Sequence, residues 1–92
     1  MIRTFDFIYE LKRTEEKRNM VISLMEQKIH TTIDIGGHSI RFIPNRNIAL
    51  ISCNGTDPTL KERFIPAEIS YDSLKQLITD KNLDKPLDIK WL

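Results

Sequence analysis

The sequence contains few residues of the kinds that would narrow its function by themselves. Its only cysteine is Cys53, which excludes an intrachain disulfide framework. Its three glycines and four prolines do not form a low-complexity linker. No run of about 18 apolar residues is present, so we expect no membrane-spanning helix and no membrane partner.

Neither sign of charge dominates the chain. Fourteen basic residues stand against 13 acidic ones, which leaves a net charge of +1. A dedicated binder of polyanions usually shows a clear basic excess, so the composition argues against that class. With 40% hydrophobic residues, the chain is also unlike a disordered protein. Its 92 residues predict one domain, spanning 1–92, with a modest core.

The first residues carry no long apolar stretch of the kind found in signal peptides. A lone thiol without such a segment favours a reducing compartment. We therefore expect a cytoplasmic protein.

The strongest structural signal lies between Thr31 and Cys53, which predicts two β-hairpins in one register. Apolar and polar residues alternate on both sides of Gly36-Gly37. Glycine reaches positive φ without steric cost, which suits a two-residue hairpin turn. Residues 44–47 predict the second turn, because proline restricts φ and asparagine tolerates turn geometry. The predicted pairs are Ile35 with His38, Asp34 with Ser39, Ile33 with Ile40, Ile43 with Ile48, Phe42 with Ala49, Ile40 with Ile51, and His38 with Cys53.

This register leaves apolar residues on both faces of the predicted sheet. Most of them share an inner face, whereas Ile43, Ile48 and Leu50 lie beside Arg41 on the outer face. An apolar patch on the second face requires a cover, which is either a helix of this chain or another chain.

The N-terminal third is less clearly patterned. Residues 2–11 alternate and favour a strand, with a short helix as the alternative because Ile8 interrupts the alternation. Residues 14–28 predict a helix with Thr14 as its N-cap, and a β-hairpin is the alternative there.

A clear helix follows Ser70, which is a favourable N-cap residue. Pro66 limits residues 63–69 to an edge strand or an extended segment. Alternation from Leu87 through Trp91 predicts a final strand. The order β-α-β-β-β-(β)-α-β indicates an α+β fold, with a mostly antiparallel sheet and two helices packed on one face. The apolar stripe of the helix after Ser70 consists of Tyr71, Leu74, Leu77 and Ile78.

Two arrangements of polar side chains are candidate chemical sites. His38 opposite Cys53 could form a thiol enzyme's dyad, although no oxyanion donor or third orienting residue accompanies it. His30, Asp34 and His38 have a spacing that suits metal ligands on a helix, but a hairpin keeps them apart. We therefore expect no metal site and no small-molecule cofactor.

Basic residues form two local clusters that could bind nucleic acid. Glu15 and Glu16 partly cancel the first cluster, and a solvated surface is its simpler interpretation. The first cluster consists of Lys12, Arg13, Lys17 and Arg18, and the second of Arg41, Arg46, Lys61 and Arg63.

The leading hypothesis is a small intracellular, non-enzymatic protein that acts through protein–protein contacts as a regulator, adaptor, inhibitor or subunit. The partner would be another protein or a second copy in a homodimer. The expected interface is Ile43, Ile48 and Leu50, with Trp91 on a terminal strand that presents an aromatic side chain. The alternatives are an accessory nucleic-acid-binding protein and a thiol enzyme that uses Cys53 and His38.

Overall fold

A computed structural model of the chain describes residues 3–53, 66–79 and 87–92. Within these ranges it confirms the α+β class, with three helices and a five-stranded antiparallel sheet. The strands lie in the sheet in chain order, so each pairs with its neighbours in sequence. The elements are α1 (Arg3–Arg13), α2 (Glu15–Glu26), β1 (Thr32–Ile35), β2 (His38–Ile43), β3 (Ile48–Cys53), β4 (Ala67–Ser70), α3 (Tyr71–Thr79) and β5 (Ile89–Trp91).

Both predicted hairpins form in the predicted register. His38 lies opposite Ile35 in the first hairpin, and Ile48 lies opposite Ile43 in the second. Gly36 and Gly37 turn the first hairpin with φ of 56° and 83°, a region that favours glycine because it has no Cβ. A slip of one residue would move every apolar side chain to the other face, so burial stabilises this register alone.

The N-terminal element is helix α1, so the strand favoured over 2–11 is wrong. The buried side chains are Phe7, Ile8 and Leu11, which share one side of a helix. Tyr9, which a strand would have placed beside Phe7 and Leu11, is 56% exposed. Ile8 interrupted the strand pattern because it belongs to the helical one.

The other two helices follow the prediction, and α2 rules out the hairpin alternative for 14–28. Thr14 precedes α2 in an extended conformation, but its side chain makes no capping hydrogen bond. The Ser70 hydroxyl caps α3 by accepting a hydrogen bond from the Ser73 N–H at 3.1 Å. The predicted stripe of α3 is buried at Tyr71, Leu74 and Ile78, and Leu77 packs against the core.

Within the described ranges three helices, and not the expected two, pack on the inner face of the sheet. The difference arises because the N-terminal segment is helical, and α1 packs against both α2 and α3. An apolar core fills the space between these helices and the sheet. It consists of Phe7, Ile8, Leu11, Val21, Met25, Ile35, Ile40, Phe42, Ala49, Ile51, Ile69, Tyr71, Leu74 and Ile78.

Strand β4 is an interior strand, which corrects the edge-strand prediction for 63–69. It lies between β3 and β5. Pro66 immediately precedes it, so the missing N–H removes no hydrogen bond of the strand. The Pro66 carbonyl accepts a hydrogen bond from the Leu92 N–H at 2.9 Å. The first part of the predicted segment, 63–65, lies outside the described residues.

A buried serine fastens the last strand to α3. Ser73 is 2% exposed, and its hydroxyl accepts a hydrogen bond from the Asp88 N–H at 2.7 Å, one residue before β5. The Asp88 carbonyl in turn accepts a hydrogen bond from the Ser70 N–H at 3.1 Å. Because β5 is only three residues long, we infer that this contact is important for its attachment.

We expect Ser73→Ala to lower the free energy of unfolding by about 1 kcal/mol, because the Asp88 N–H loses its protein partner. Urea unfolding measures the loss, and faster amide exchange in β5 would locate it. Ser39→Ala is the control, since Ser39 is half-buried on the outer face, and it should stay within about 0.5 kcal/mol of wild type. Equal losses in the two variants would contradict this role of Ser73.

Candidate functional site

The outer face of the sheet, which points away from the helices, carries three of the predicted interface residues. Ile43 ends β2, and Ile48 and Leu50 lie on β3, all with side chains opposite in direction to the core residues of those strands. All three are half-buried. The three described helices pack on the other face, so within the described chain no helix covers these side chains.

A row of five side chains, one from each strand, crosses the middle of the outer face. Leu50 lies at its centre on β3, with Arg41 beside it on β2 and Glu68 beside it on β4. Thr32 and Lys90 complete the row on the two outermost strands. The central leucine therefore has a cation on one side and an anion on the other.

An ion pair borders the apolar part of this face. Arg46 Nη2 lies 3.6 Å from Glu68 Oε1, and the two side chains are 65% and 21% exposed. Arg46 belongs to the turn before Ile48, whereas Glu68 lies opposite Leu50 on the next strand. The guanidinium therefore reaches along the outer face past Ile48. Such an exposed pair contributes about 0–1 kcal/mol to stability.

A shallow groove continues this surface on the side of Leu50 away from the second turn. Its volume is about 460 Å³, and it is lined in part by Ser39, Arg41, Leu50 and Leu92. Among the described residues, Arg41 has no ion-pair partner. The outer face thus combines an apolar patch, a groove and a cation that no described carboxylate neutralises.

Trp91 does not belong to this face. It pairs with the buried Ala67 on β4, and it has the same orientation as Ile89, which packs against the core. Its side chain is 40% exposed at the edge formed by β5. The structure therefore separates Trp91 from the other three predicted interface residues.

The basic residues predicted for nucleic-acid binding do not lie on one surface. One group ends α1 and begins α2 in the helical layer, and the other lies on the outer face or in the turn at its end. Because the helices cover the inner face, the two groups lie on opposite sides of the sheet. Lys61 and Arg63 lie outside the described residues. The helical group is Lys12, Arg13, Lys17 and Arg18, and the sheet group is Arg41 and Arg46.

Arg13 and Arg18 of the helical group make contacts within the protein. Arg18 Nη1 donates a hydrogen bond of 2.7 Å to the Lys12 carbonyl oxygen near the end of α1. The Arg13 guanidinium carbon lies 5.5 Å from the centroid of the Tyr9 ring, which is a cation–π distance. These contacts stabilise the corner between α1 and α2.

His38 and Cys53 lie opposite each other on the inner face, as the register predicts. The His38 ring stacks on the ring of Phe7, with centroids 4.4 Å apart and an angle of 15° between the planes. Cys53 is half-buried and packs against the hydrophobic core. This environment is typical of a cysteine that acts as a small apolar side chain.

A cleft that the sequence did not predict lies between α1, the start of α2 and the first hairpin. Its volume is about 280 Å³. It depends on α1 being a helix, since its wall contains residues spaced by one helical turn. Asp6 and Glu10 are four residues apart in the sequence and lie beside the apolar stripe of α1. This spacing was the signal that could have predicted the cleft. The lining residues are Asp6, Phe7, Glu10, Leu11, Lys17, Ile35, Gly36 and His38.

Comparisons with protein-family models, curated proteins and solved structures find no significant match to this chain. None of the helices in the described ranges has the length and apolarity that a bilayer span requires. Nor do these ranges contain three or more histidine, cysteine, aspartate or glutamate side chains grouped so that they could hold a metal ion.

We expect Arg18→Ala to lower the free energy of unfolding by about 1 kcal/mol, because a charged donor to the Lys12 carbonyl is lost. Lys17→Ala is the matched control, since Lys17 precedes it in α2 and makes no side-chain hydrogen bond to the described residues. Denaturant unfolding of both variants measures the difference. Wild-type stability in Arg18→Ala would contradict the structural role and leave Arg18 available for a ligand.

Proposed function

We propose that this is a small, non-enzymatic cytoplasmic protein that acts through protein–protein contacts as a regulator, adaptor, inhibitor or subunit, with the outer face of its sheet as the docking surface. The observation that carries the proposal is the half-buried set Ile43, Ile48 and Leu50, on a face that no described helix covers. An antiparallel sheet tolerates one solvated face when that face is polar. Here the apolar side chains lie side by side, which favours burial against a partner.

The occupant that this face fits is a second copy of the chain. Consider a two-fold axis parallel to β3 that passes above Leu50. Rotation about it places Leu50 over Leu50 of the second copy and exchanges the sides on which β2 and β4 lie. Arg41 then faces Glu68 of the second copy, and the reverse contact forms at the same time. The face is therefore self-complementary, as an isologous interface must be.

Two of the three apolar residues support the same arrangement. Ile48 lies on β3 with Leu50, so it faces Ile48 of the second copy across the same axis. Ile43 faces Ser70, because these residues flank Ile48 on either side. Packed sheets are about 10 Å apart. Leu50 and Ile48 lie at the axis, so each faces its own copy across that distance.

Electrostatics add specificity to this contact. Glu68 uses one carboxylate oxygen toward Arg46 of its own chain, and its other oxygen can accept from Arg41 of the second copy. Arg41 has no ion-pair partner among the described residues. Pairing across the axis would therefore supply the anion that Arg41 lacks within its own described chain.

The size of the face predicts moderate affinity. Five strands at a spacing of about 4.8 Å, each rising about 3.3 Å per residue, present roughly 400–500 Å². That is below the area per partner of a standard interface, which is about 800 Å². We therefore expect a reversible dimer with a dissociation constant of about 1–100 μM.

We expect Leu50→Asp and Ile48→Asp to abolish self-association, because each places a charge opposite its own copy near the axis. Sedimentation velocity at several protein concentrations measures the change, and circular dichroism checks that the variants are folded. Met20→Asp is the control, since Met20 is exposed on α2, away from the outer face. It should leave association unchanged.

The outcome also identifies the occupant. A wild-type protein that stays monomeric at about 200 μM, beyond the expected dissociation constant, would overturn the homodimer. If that monomer retains a different protein, and Leu50→Asp releases it, the docking surface stands with another partner. Association that is insensitive to both aspartate variants would exclude the outer face.

Exchanging the charges of Arg41 and Glu68 tests the position of the proposed two-fold axis. Arg41→Glu and Glu68→Arg should each weaken the homodimer by about tenfold, because each creates two like-charge contacts. Mixing the two variants should restore association to within about threefold of wild type, since both contacts are opposite in charge in the mixed dimer. A mixture that associates no better than the separate variants would contradict the proposed axis.

A further inference from the structure

The cleft in the helical layer combines an apolar floor with charges of both signs. Phe7 and Leu11 of α1 and Ile35 of β1 are buried side chains that line it. His38 stacks on Phe7 and extends the apolar wall with a second planar ring. The cleft lies on the side of the sheet opposite to the docking surface.

The polar part of the cleft is arranged with its two signs on different helices. Asp6 and Glu10 are four residues apart on α1, so they lie on one side of that helix. Lys17 comes from the first turns of α2. A cleft with this distribution presents carboxylates on one side and an ammonium group on the other.

These three charged groups are not used within the described structure. Among the described residues, Asp6, Glu10 and Lys17 form neither an ion pair nor a side-chain hydrogen bond. Elsewhere in the chain, exposed charges do pair, as Lys75 does with Glu26 at 3.4 Å. Three unpaired charges around one apolar cleft are therefore available to a ligand.

We propose that this cleft binds a free apolar α-amino acid, such as leucine. Its ammonium group would contact Asp6 and Glu10, and its carboxylate would contact Lys17. Its side chain would pack on the half-buried His38 ring and on the small accessible part of Ile35. Each part of the ligand would therefore contact a different group of residues in the cleft. An amine without a carboxylate leaves Lys17 without a partner, and an acid without an amine places its charge beside two carboxylates.

The volume agrees with a ligand of this size. About 280 Å³ is near the lower end of small-molecule sites. Leucine has about nine non-hydrogen atoms. A dissociation constant of about 1 mM, which we expect, requires a higher ligand efficiency than drug-sized ligands have, but a lower one than the best small ligands reach. The cleft does not overlap the proposed dimer interface, because none of its lining residues lies on the outer face.

Isothermal titration of the full chain at pH 7 and low salt, with four ligands, tests the chemistry. L-Leucine should bind with saturation. N-acetyl-L-leucine lacks the ammonium group, L-leucinamide lacks the carboxylate and glycine lacks the apolar side chain. Each should bind about tenfold more weakly or not at all, since each loses one class of contact.

Variants assign each contact to its residue. In Lys17→Ala, leucine and leucinamide should bind equally, because the carboxylate has lost its partner. In the Asp6→Asn, Glu10→Gln double variant, leucine and N-acetyl-leucine should bind equally. Glu15→Gln and Lys28→Ala are matched controls that do not line the cleft, and they should retain wild-type binding. Thermal unfolding of each variant confirms that it is folded.

Three results would overturn the proposal. The first is no saturable binding of leucine up to about 10 mM, well above the expected dissociation constant. The second is equal affinity of wild type for leucine, leucinamide and N-acetyl-leucine, which would mean that the charges take no part. The third is unchanged ligand preference in the folded cleft variants.

Discussion

The pairing of β2 with β3 is the interaction on which the rest of this structure depends. On the inner face it brings Ile40 beside Ile51 and Phe42 beside Ala49, and all four side chains are fully buried. That apolar surface is what the helices cover. The same pairing places Leu50 beside Arg41 on the outer face. The core and the proposed docking surface therefore depend on one register, and a change in it would disrupt both.

The helical conformation of the N-terminal segment is the second constraint. Burial of Phe7, Ile8 and Leu11 requires a period of 3.6, and this packing draws the same segment against α2 and α3. Once α1 is a helix, Asp6 and Glu10 share a side and border the cleft. The burial that decides the conformation of this segment thus also creates the charged wall of a second candidate site.

Structural features that depend on residues close in sequence were predicted correctly, whereas features that depend on distant residues were not. Both hairpins were predicted residue by residue, because alternation and Gly36-Gly37 act locally. The short apolar run of α1 fits both the period of a strand and the period of a helix. Only its packing against other elements decides between the two. The orientation of Trp91 follows from the pairing of β4 with β5, and the Ser73 contact spans 15 residues. Neither of these two features is visible as a local pattern in the sequence.

The sequence by itself determined the α+β class, the register of β1, β2 and β3, and the apolar set Ile43, Ile48 and Leu50 on one face. These properties depend on alternation and turn residues within a few positions of each other. Only the tertiary structure decided that α1 is a helix, that the basic residues are divided between two sides, and that a charged cleft exists. Each of these requires segments distant in sequence to meet, and burial of apolar surface between them selects the outcome.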